Sequence, residues 1–279
     1  MTGTLYLCAT PIGNLNDITF RVLDTLREVD MIAAEDTRNS IKLLNHFGIK
    51  TPMTSYHEHN KVEKAQQITS WLMAGKNIAL VTDAGTPAIS DPGEVLVEKC
   101  INAGIPVTSL PGCCALITAL TLSGISARRF CFEGFLPGEK RERRFVLEEL
   151  ERETRTIILY EAPHHLRKTL LELYEALGER RITLCRELTK RFETVFPTTI
   201  GQAAAYYETE EPRGEYVLVI EGLDRNRLKL DEQAEWEEIS IRDHMQLYED
   251  KGMERKEAMK KVAADRGISK REVYQSLLS

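Results

Sequence analysis

Apolar residues in the first half of the chain gather in short unbroken runs. Leu5 to Ala9, Met31 to Ala34 and Ile78 to Val81 read as buried strands, because strands covered on both faces need no polar alternation, and a further strand is read at Val107 to Leu110. Helical spacing separates them: Val22, Leu23 and Leu26 share one face, with Asp17 or Thr19 placed to cap. A helix follows from Glu94, and Cys114 to Leu122 reads as a buried helix. A second series starts near Ala127, with strands at Phe130 to Phe135, Thr156 to Tyr160, Ile182 to Cys185 and Tyr216 to Ile220, and helices from Arg141 and His164. From Asp224 to Glu238 the composition turns acidic and linker-like. Beyond it, Ala258, Val262 and Ala263 form one face, Gly267 makes a turn, and Ser269 caps a helix with Val273, Leu277 and Leu278 on its apolar side, the outline of a helix-turn-helix. The pattern predicts an α/β chain with domains at residues 1–124 and 125–224 and a helical module at 236–279.

The first series of strands ends in polar loops. Thr10 to Thr19 reads TPIGNLNDIT, Glu35 to Arg38 reads EDTR, Ser55 to Asn60 reads SYHEHN, and Leu80 to Gly93 reads LVTDAGTPAISDPG. In an open α/β sheet, ligands bind outside the carboxyl ends of the strands, so several such loops on one edge form a candidate site. The first loop lacks G-x-G-x-x-G, which disfavours a dinucleotide-binding dehydrogenase. Plainer roles stand beside the functional ones: Asp91 as a helix cap, and Glu35 to Arg38 as an ion pair plus a cap. His57 and His59 would share a face of an extended segment, but no third ligand stands at convincing spacing, so no metal is expected. RELTKRFET, Arg186 to Thr194, places Glu187, Lys190 and Arg191 at another strand end.

Composition narrows the setting. The 279 residues are 42% hydrophobic, enough for a sizeable core, with a formal net charge of −6 that disfavours nucleic-acid binding by the whole surface. No apolar run approaches a membrane span and no secretion leader opens the chain, which points to the cytoplasm. Six cysteines without CxxC spacing read as reduced core or loop residues. Two regions are locally basic. Arg128, Arg129, Lys140, Arg141, Arg143 and Arg144 surround Phe132 and Phe135, a mixture that suits single-stranded nucleic acid or, with Glu139, Glu142, Glu148 and Glu149, a solvated helix face. The tail carries Lys256, Lys260, Lys261, Arg266, Lys270 and Arg271.

The strings TPIGNLNDIT, AAEDTR, SYHEHN, LVTDAGTPAISDPG, LPGCCALITAL, FEGFLP, LYEAPHHL, RELTKRFET and GEYVLVIEG occur in that order. Together they resemble the tetrapyrrole (corrin/porphyrin) methylase superfamily, and within it the methyltransferases of small-subunit ribosomal RNA, over roughly Leu5 to Gly222. The resemblance implies the two-domain tetrapyrrole methylase fold with a small all-α helix-turn-helix module, a homodimer, and S-adenosylmethionine in the cleft between domains. The reaction it implies is methylation of the ribose 2'-hydroxyl of a decoding-site cytidine in 16S ribosomal RNA. By motif position Pro11, Gly85, Thr86, Ile89, Cys114 and Ala115 should line the cofactor site; Tyr160, Glu187 and Tyr216 follow by strand position. The chain departs from the superfamily at Thr86, where an acidic residue is common, and at Cys113 and Cys114, where Pro-Ser is. Glu187, Asp83 and His57 are candidates for removing or orienting the hydroxyl proton, and Lys190 or Arg38 for holding phosphate or a developing alkoxide. The rival expectations are a tetrapyrrole substrate on the same scaffold and a non-enzymatic nucleic-acid-binding regulator.

Overall fold

The structure, a computed structural model, describes residues 2–278. Its first sheet is built from β1 (Leu5–Cys8), β2 (Met31–Ala34), β3 (Met53–Ser55), β4 (Ile78–Val81) and β5 (Val107–Leu110), with helices α1 (Phe20–Glu28), α2 (Thr37–His46), α3 (Lys61–Met73), α4 (Gly93–Asn102) and α5 (Ala115–Leu122). The strand order is β3-β2-β4-β1-β5, and every pair is parallel. Alternate residues serve opposite faces. Leu5, Leu7, Ile78 and Leu80 pack against Ile68 and Leu72 of α3 and Leu96 of α4. Cys8, Ile32, Ala79 and Val81 pack against Val22 and Leu26 of α1 and Leu44 of α2. With both faces covered, uninterrupted apolar runs are what the strands require. Because all five run the same way, their carboxyl ends, and the loops that follow, share one edge.

The second sheet holds β6 (Phe130–Phe135), β7 (Thr156–Glu161), β8 (Arg181–Arg186), β9 (Thr194–Thr199) and β10 (Tyr216–Ile220), with α6 (Lys140–Glu151), α7 (Pro163–Leu177) and α8 (Ile200–Thr209). Its order is β6-β7-β10-β8-β9; β6 and β7 are parallel and the other pairs antiparallel. Leu116, Ala119 and Leu120 of α5 pack on this sheet, against Ile158, Cys185, Val217 and Val219. The edge strand β6 is bulged: Phe132 pairs with Ile158 but Gly134 with Leu159, so Glu133 is the extra residue. Two short elements had no sequence signal. The three-residue β3 is half-buried at an edge, and β9 is a mostly exposed edge strand that accommodates Pro197.

Both sheets belong to one compact unit, Met1–Glu148 with Thr156–Glu221. A second unit, Glu149–Arg155 with Gly222–Ser279, contains α9 (Arg225–Glu237), α10 (Ile241–Asp250), α11 (Arg255–Asp265) and α12 (Lys270–Leu278). Met245, Ala258, Val262, Ala263 and Val273 form its core. Ser269 and Glu272 make a reciprocal capping box: Ser269 Oγ accepts from the Glu272 amide at 3.2 Å and Glu272 Oε2 from the Ser269 amide at 2.6 Å. Two expectations are corrected. The acidic stretch after Asp224 is the helix α9, not a linker: Asp224 caps it through the Asn226 amide at 2.8 Å, most of its residues are good helix formers, and Trp236 stacks on His244 with ring centroids 3.8 Å apart. Leu278 is 71% exposed, so the buried side of α12 is Val273 with Leu277 packed beside it.

The cysteines are free thiols, with Cys8, Cys100, Cys131 and Cys185 buried. Burial pushes the Cys8 thiol up to about 12 and those of Cys100 and Cys185 to about 11, which keeps them unreactive. Among the described residues no helix is long and apolar enough to cross a membrane.

Candidate active site

The loops leaving β1 and β4 are stitched together. Thr10 and Gly85 exchange backbone hydrogen bonds of 2.9 and 3.0 Å, and Thr10 Oγ1 donates to the Thr82 carbonyl at 3.0 Å. Gly85 sits at φ +87°, where a side chain would be strained. Asp91 secures the rest of this loop, accepting from the amides of Ala88 at 3.0 Å, Ile89 at 3.3 Å and Gly93 at 2.7 Å. Asp91 therefore both opens α4 and holds the turn; burial raises its carboxyl above the usual range despite the three amides. Thr86 Oγ1 donates to the Cys113 carbonyl at 2.8 Å, tying the loop to the start of α5.

From the second sheet comes the loop after β8. Among the described residues, the non-glycines with positive φ are Ala88, Ser90, Glu187 and Thr189. All four lie on these two loops, and such strain persists only where the surroundings enforce it, most often at functional sites. Here β8 and β10 pair Arg186 with Tyr216, which sets Glu187 beside Glu215. The Glu187 amide donates to the Glu215 carbonyl at 3.0 Å, and Glu187 Oε1 accepts from the Glu215 amide at 3.0 Å. Lys190 Nζ then donates to Glu187 Oε1 at 2.9 Å and Glu215 Oε2 at 2.8 Å. Gly13 leaves room for it: a Cβ there would stand 2.4 Å from Lys190 Cγ.

Burial pushes the Glu187 carboxyl up, but the Glu215 amide and the Lys190 ammonium outweigh it, and the net shift is downward. Burial pulls Lys190 down, but hydrogen bonds to Glu215 and Glu187 outweigh that, and its net shift is upward. Glu187 is thus a weak base and Lys190 a persistent cation. Two of the three ammonium protons are committed to the carboxylates, leaving one for another acceptor.

Between the loops lies a cavity of about 380 Å³, a size suited to a small molecule. The first sheet contributes Ile12, Glu35, Asp83, Gly85, Thr86 and Ile89; α5 and the residue before it contribute Ala115 and Cys114; the second sheet contributes Phe135, Tyr160, Glu161, Glu187, Lys190, Glu215 and Tyr216. The Tyr160 hydroxyl accepts from the Leu116 amide at 3.3 Å, and burial pushes its phenol up to about 12.

Ten of the residues singled out from the sequence meet in this cavity: Asp83, Gly85, Thr86, Ile89, Cys114, Ala115, Tyr160, Glu187, Lys190 and Tyr216. Pro11 lines a neighbouring depression of about 290 Å³ that shares Thr82 and Asp83. Arg38 and His57 line neither. Arg38 is 87% exposed and pairs with Asp36 at 2.7 Å, holding that carboxyl down to about 2, so its plainer reading describes the geometry. His57 precedes a turn at Glu58 to Asn60 and is not part of an extended run; the Asn60 side chain accepts from its backbone amide at 2.9 Å and sits 3.3 Å from its ring Nε2. Asp83 lines the cavity, yet both its oxygens accept hydrogen bonds at the start of α2, from the Asp36 amide and from Asn39, each at 3.1 Å.

Glu161 and Glu215 line the cavity without having been singled out, and so does Glu35, which the sequence offered only as part of the EDTR loop. Glu35 accepts from Thr82 Oγ1 at 2.6 Å and from the Asp83 amide at 3.3 Å. Its place after a strand in EDTR was the available signal, whereas Glu215 needed knowledge of the strand pairing. The basic cluster loses one member: Arg143 is 8% exposed and turned inward, onto Glu172 at 2.6 Å and Thr169 at 2.7 Å. Arg128, Arg129, Lys140, Arg141 and Arg144 remain exposed.

Carboxylates of Glu35, Asp83, Glu161, Glu187 and Glu215 share this cavity with the single ammonium of Lys190, a balance that favours a ligand carrying positive charge. Ile12, Ile89, Cys114, Ala115 and Val217 supply apolar contact for the body of such a ligand. Among the described residues, no three His, Cys, Asp or Glu side chains converge as metal ligands.

The sequence model of the tetrapyrrole (corrin/porphyrin) methylases matches residues 4–204. A ribosomal RNA small subunit methyltransferase I from Bacillus subtilis (strain 168) is 48% identical over 274 residues, covering 98% of this chain and 94% of the relative. The protein of that name from Synechocystis sp. is also 48% identical, with 98% and 96% covered. Among solved structures, a uroporphyrin-III C-methyltransferase from Thermus thermophilus, in complex with S-adenyl homocysteine, covers 78% of this chain and 97% of its own at a TM-score of 0.56 and 17% identity, which shows the shared fold.

Proposed function

The chain belongs to the tetrapyrrole (corrin/porphyrin) methylase family, and from that premise we propose that it methylates the ribose 2'-hydroxyl of a decoding-site cytidine in 16S ribosomal RNA of the small subunit. It does so as a cytoplasmic homodimer with S-adenosylmethionine as donor. The observation that carries this reading is the acidic cavity with one pinned ammonium at the strand ends. The names of the relatives at 48% identity support ribosomal RNA as the acceptor.

The cavity's chemistry fits the donor, which carries a net positive charge on its sulfonium beside a paired ammonium and carboxylate, and whose flat adenine ring suits the apolar lining. Gly85, Thr86, Ile89, Cys114 and Ala115 would hold it. When bound, the donor supplies a methyl carbon on a positively charged sulfur. The chain does the rest. Its paired loops fix the reacting atoms in line, which is the largest contribution open to an enzyme of this chemistry. The hydroxyl proton passes to solvent as the acceptor oxygen takes up the methyl group, and the remaining Lys190 proton is available to that oxygen while negative charge develops on it. Glu187, weakened as a base, serves chiefly to place and charge Lys190.

Two measurements test this. Small ribosomal subunits incubated with isotopically labelled donor are expected to acquire label at one cytidine, in an alkali-resistant linkage that marks a 2'-O-methyl group. Label on a base, or transfer only to a tetrapyrrole, ends the proposal. Gly214→Ala is expected to perturb the same centre: Gly214 has φ +74°, and a Cβ there would stand 2.4 Å from Glu187 Cγ. A left-handed alanine costs about 1–2 kcal/mol. Pushing Glu187 away from Lys190 should also slow transfer about tenfold, the effect of some 1.4 kcal/mol on the barrier.

A further inference from the structure

The bulge in β6 does something that regular pleating cannot. In an unbroken strand Phe132 and Phe135, three positions apart, project to opposite faces. With Glu133 as the extra residue, both rings reach Tyr160, at centroid distances of 4.9 and 5.7 Å in edge-to-face geometry. Gly134 makes the bulge possible. Its φ is +64°, and a Cβ there would lie 3.1 Å from Ser90 Oγ of the central loop. The two rings end in different environments. Phe132 is half-buried against the α5 cluster, whereas Phe135 lines the cavity and is still 56% exposed.

Hydrophobic burial does not explain Phe135, because more than half of it stays in water and its neighbours are already packed. An aromatic ring more than half open on a cavity wall, held by a T-shaped contact with Tyr160, offers a stacking surface. It lies on an edge strand whose flanks carry the exposed Arg128, Arg129, Lys140 and Arg141. Lys140 and Arg141 open the helix that follows the ring, and Arg128 and Arg129 precede the other end of the strand, so the same edge combines an open ring with cations for phosphates, as an unstacked nucleotide requires.

We infer that Phe135 is the binding surface for a nucleobase of the acceptor strand, the acceptor base or its immediate neighbour, splayed out of its stack at the mouth of the methyl-transfer cavity. This rests on the RNA-methylating function proposed above and adds the subsite that orients the ribose. The base stacks on the ring exposed by the bulge, and the flanking arginines and lysines track the backbone. Stacking of this kind tolerates any base, so Phe135 contributes affinity and orientation, and sequence choice lies elsewhere.

The test compares Phe135→Ala and Phe135→Trp in the full-length protein. Removing a base-stacking ring weakens binding by roughly 5- to 150-fold, so F135A is expected to raise KM for RNA by that factor while calorimetric affinity for S-adenosylmethionine is unchanged. F135W should restore KM to near the wild-type value. Its added indole fluorescence, over that of Trp71 and Trp236, should be quenched by a short oligoribonucleotide without donor. Three outcomes overturn the inference: donor affinity falling in F135A with KM for RNA intact, Ala and Trp equally impaired, or no change in either constant. If the wild-type chain binds donor but methylates no RNA, the parent function fails and this subsite with it.

Discussion

Lys190→Met slows methyl transfer by about 10²–10³-fold with donor and RNA both saturating, the usual loss when one pre-placed donor to a developing negative charge is removed. The methionine keeps the length of the side chain and deletes only the ammonium that Glu187 and Glu215 hold at 2.9 and 2.8 Å. Donor affinity should hold or tighten, because a cation has been taken from an acidic cavity that receives another cation. Lys190→Arg should recover part of the rate by keeping the charge. The pH profile is a separate check. Glu187 titrates below its ordinary range and Lys190 above its own. The stability contributed by the cluster is therefore complete through neutrality. It is lost at acid pH as Glu187 gains a proton and at alkaline pH as Lys190 gives one up. The wild-type rate should show no limb from this pair between those extremes. A weakened donor affinity in Lys190→Met with an unchanged rate would assign the ammonium to the cofactor and refute its role at the acceptor.

Arg143→Met is expected to cost about 3 kcal/mol of folding stability, the low end for breaking a buried ion pair by removing one partner. The guanidinium is enclosed: Nε donates to Glu172, NH2 to Thr169 Oγ1, and that hydroxyl in turn donates to the buried Glu161 on the cavity wall. Removing it takes the direct counter-charge from Glu172 and one donor from Thr169, whose hydroxyl still donates to Glu161, while Lys168, 3.6 Å from Glu172, softens the loss at that end. The melting temperature should fall by roughly 6–12 °C. Arg144→Met supplies the contrast. Its pair with Glu148 at 3.4 Å is 77% and 64% exposed, so less than about 0.5 kcal/mol is at stake. Equal losses in the two variants would show that Arg143 belongs to the surface after all.

The contrast between these neighbouring arginines also marks where sequence was legible and where it was not. Met31–Ala34 and Ile78–Val81 could be read residue for residue because interior strands sandwiched between helices exclude polar side chains, whereas the edge strand Val107–Leu110 carries an exposed Thr108 and Ser109. The loops at their ends could be read because glycine, proline and short polar side chains have no packing role there. Arg143 was misassigned to a basic face although Leu147 and Leu150, four and seven positions on, place it on the buried side of α6. Glu215 and the β6 bulge left no local trace, since each depends on which strands are neighbours. Arg38 and His57 show the limit of reading by strand ends: both follow a strand, yet their side chains lie outside the cavity, at Asp36 and at the Asn60 turn.

The place of β1 at the interior of the first sheet has a consequence for biosynthesis. Leu5 pairs with Ile78 on one side and Val107 on the other, so during synthesis β1 waits about seventy residues for its first partner and about a hundred for its second. At about 5–20 residues per second the first wait is roughly 4–15 s, during which a sticky, unpaired ribbon must be kept from the wrong companions. The order of translation, as much as the final packing, thus exposes this protein to misassembly early in its life.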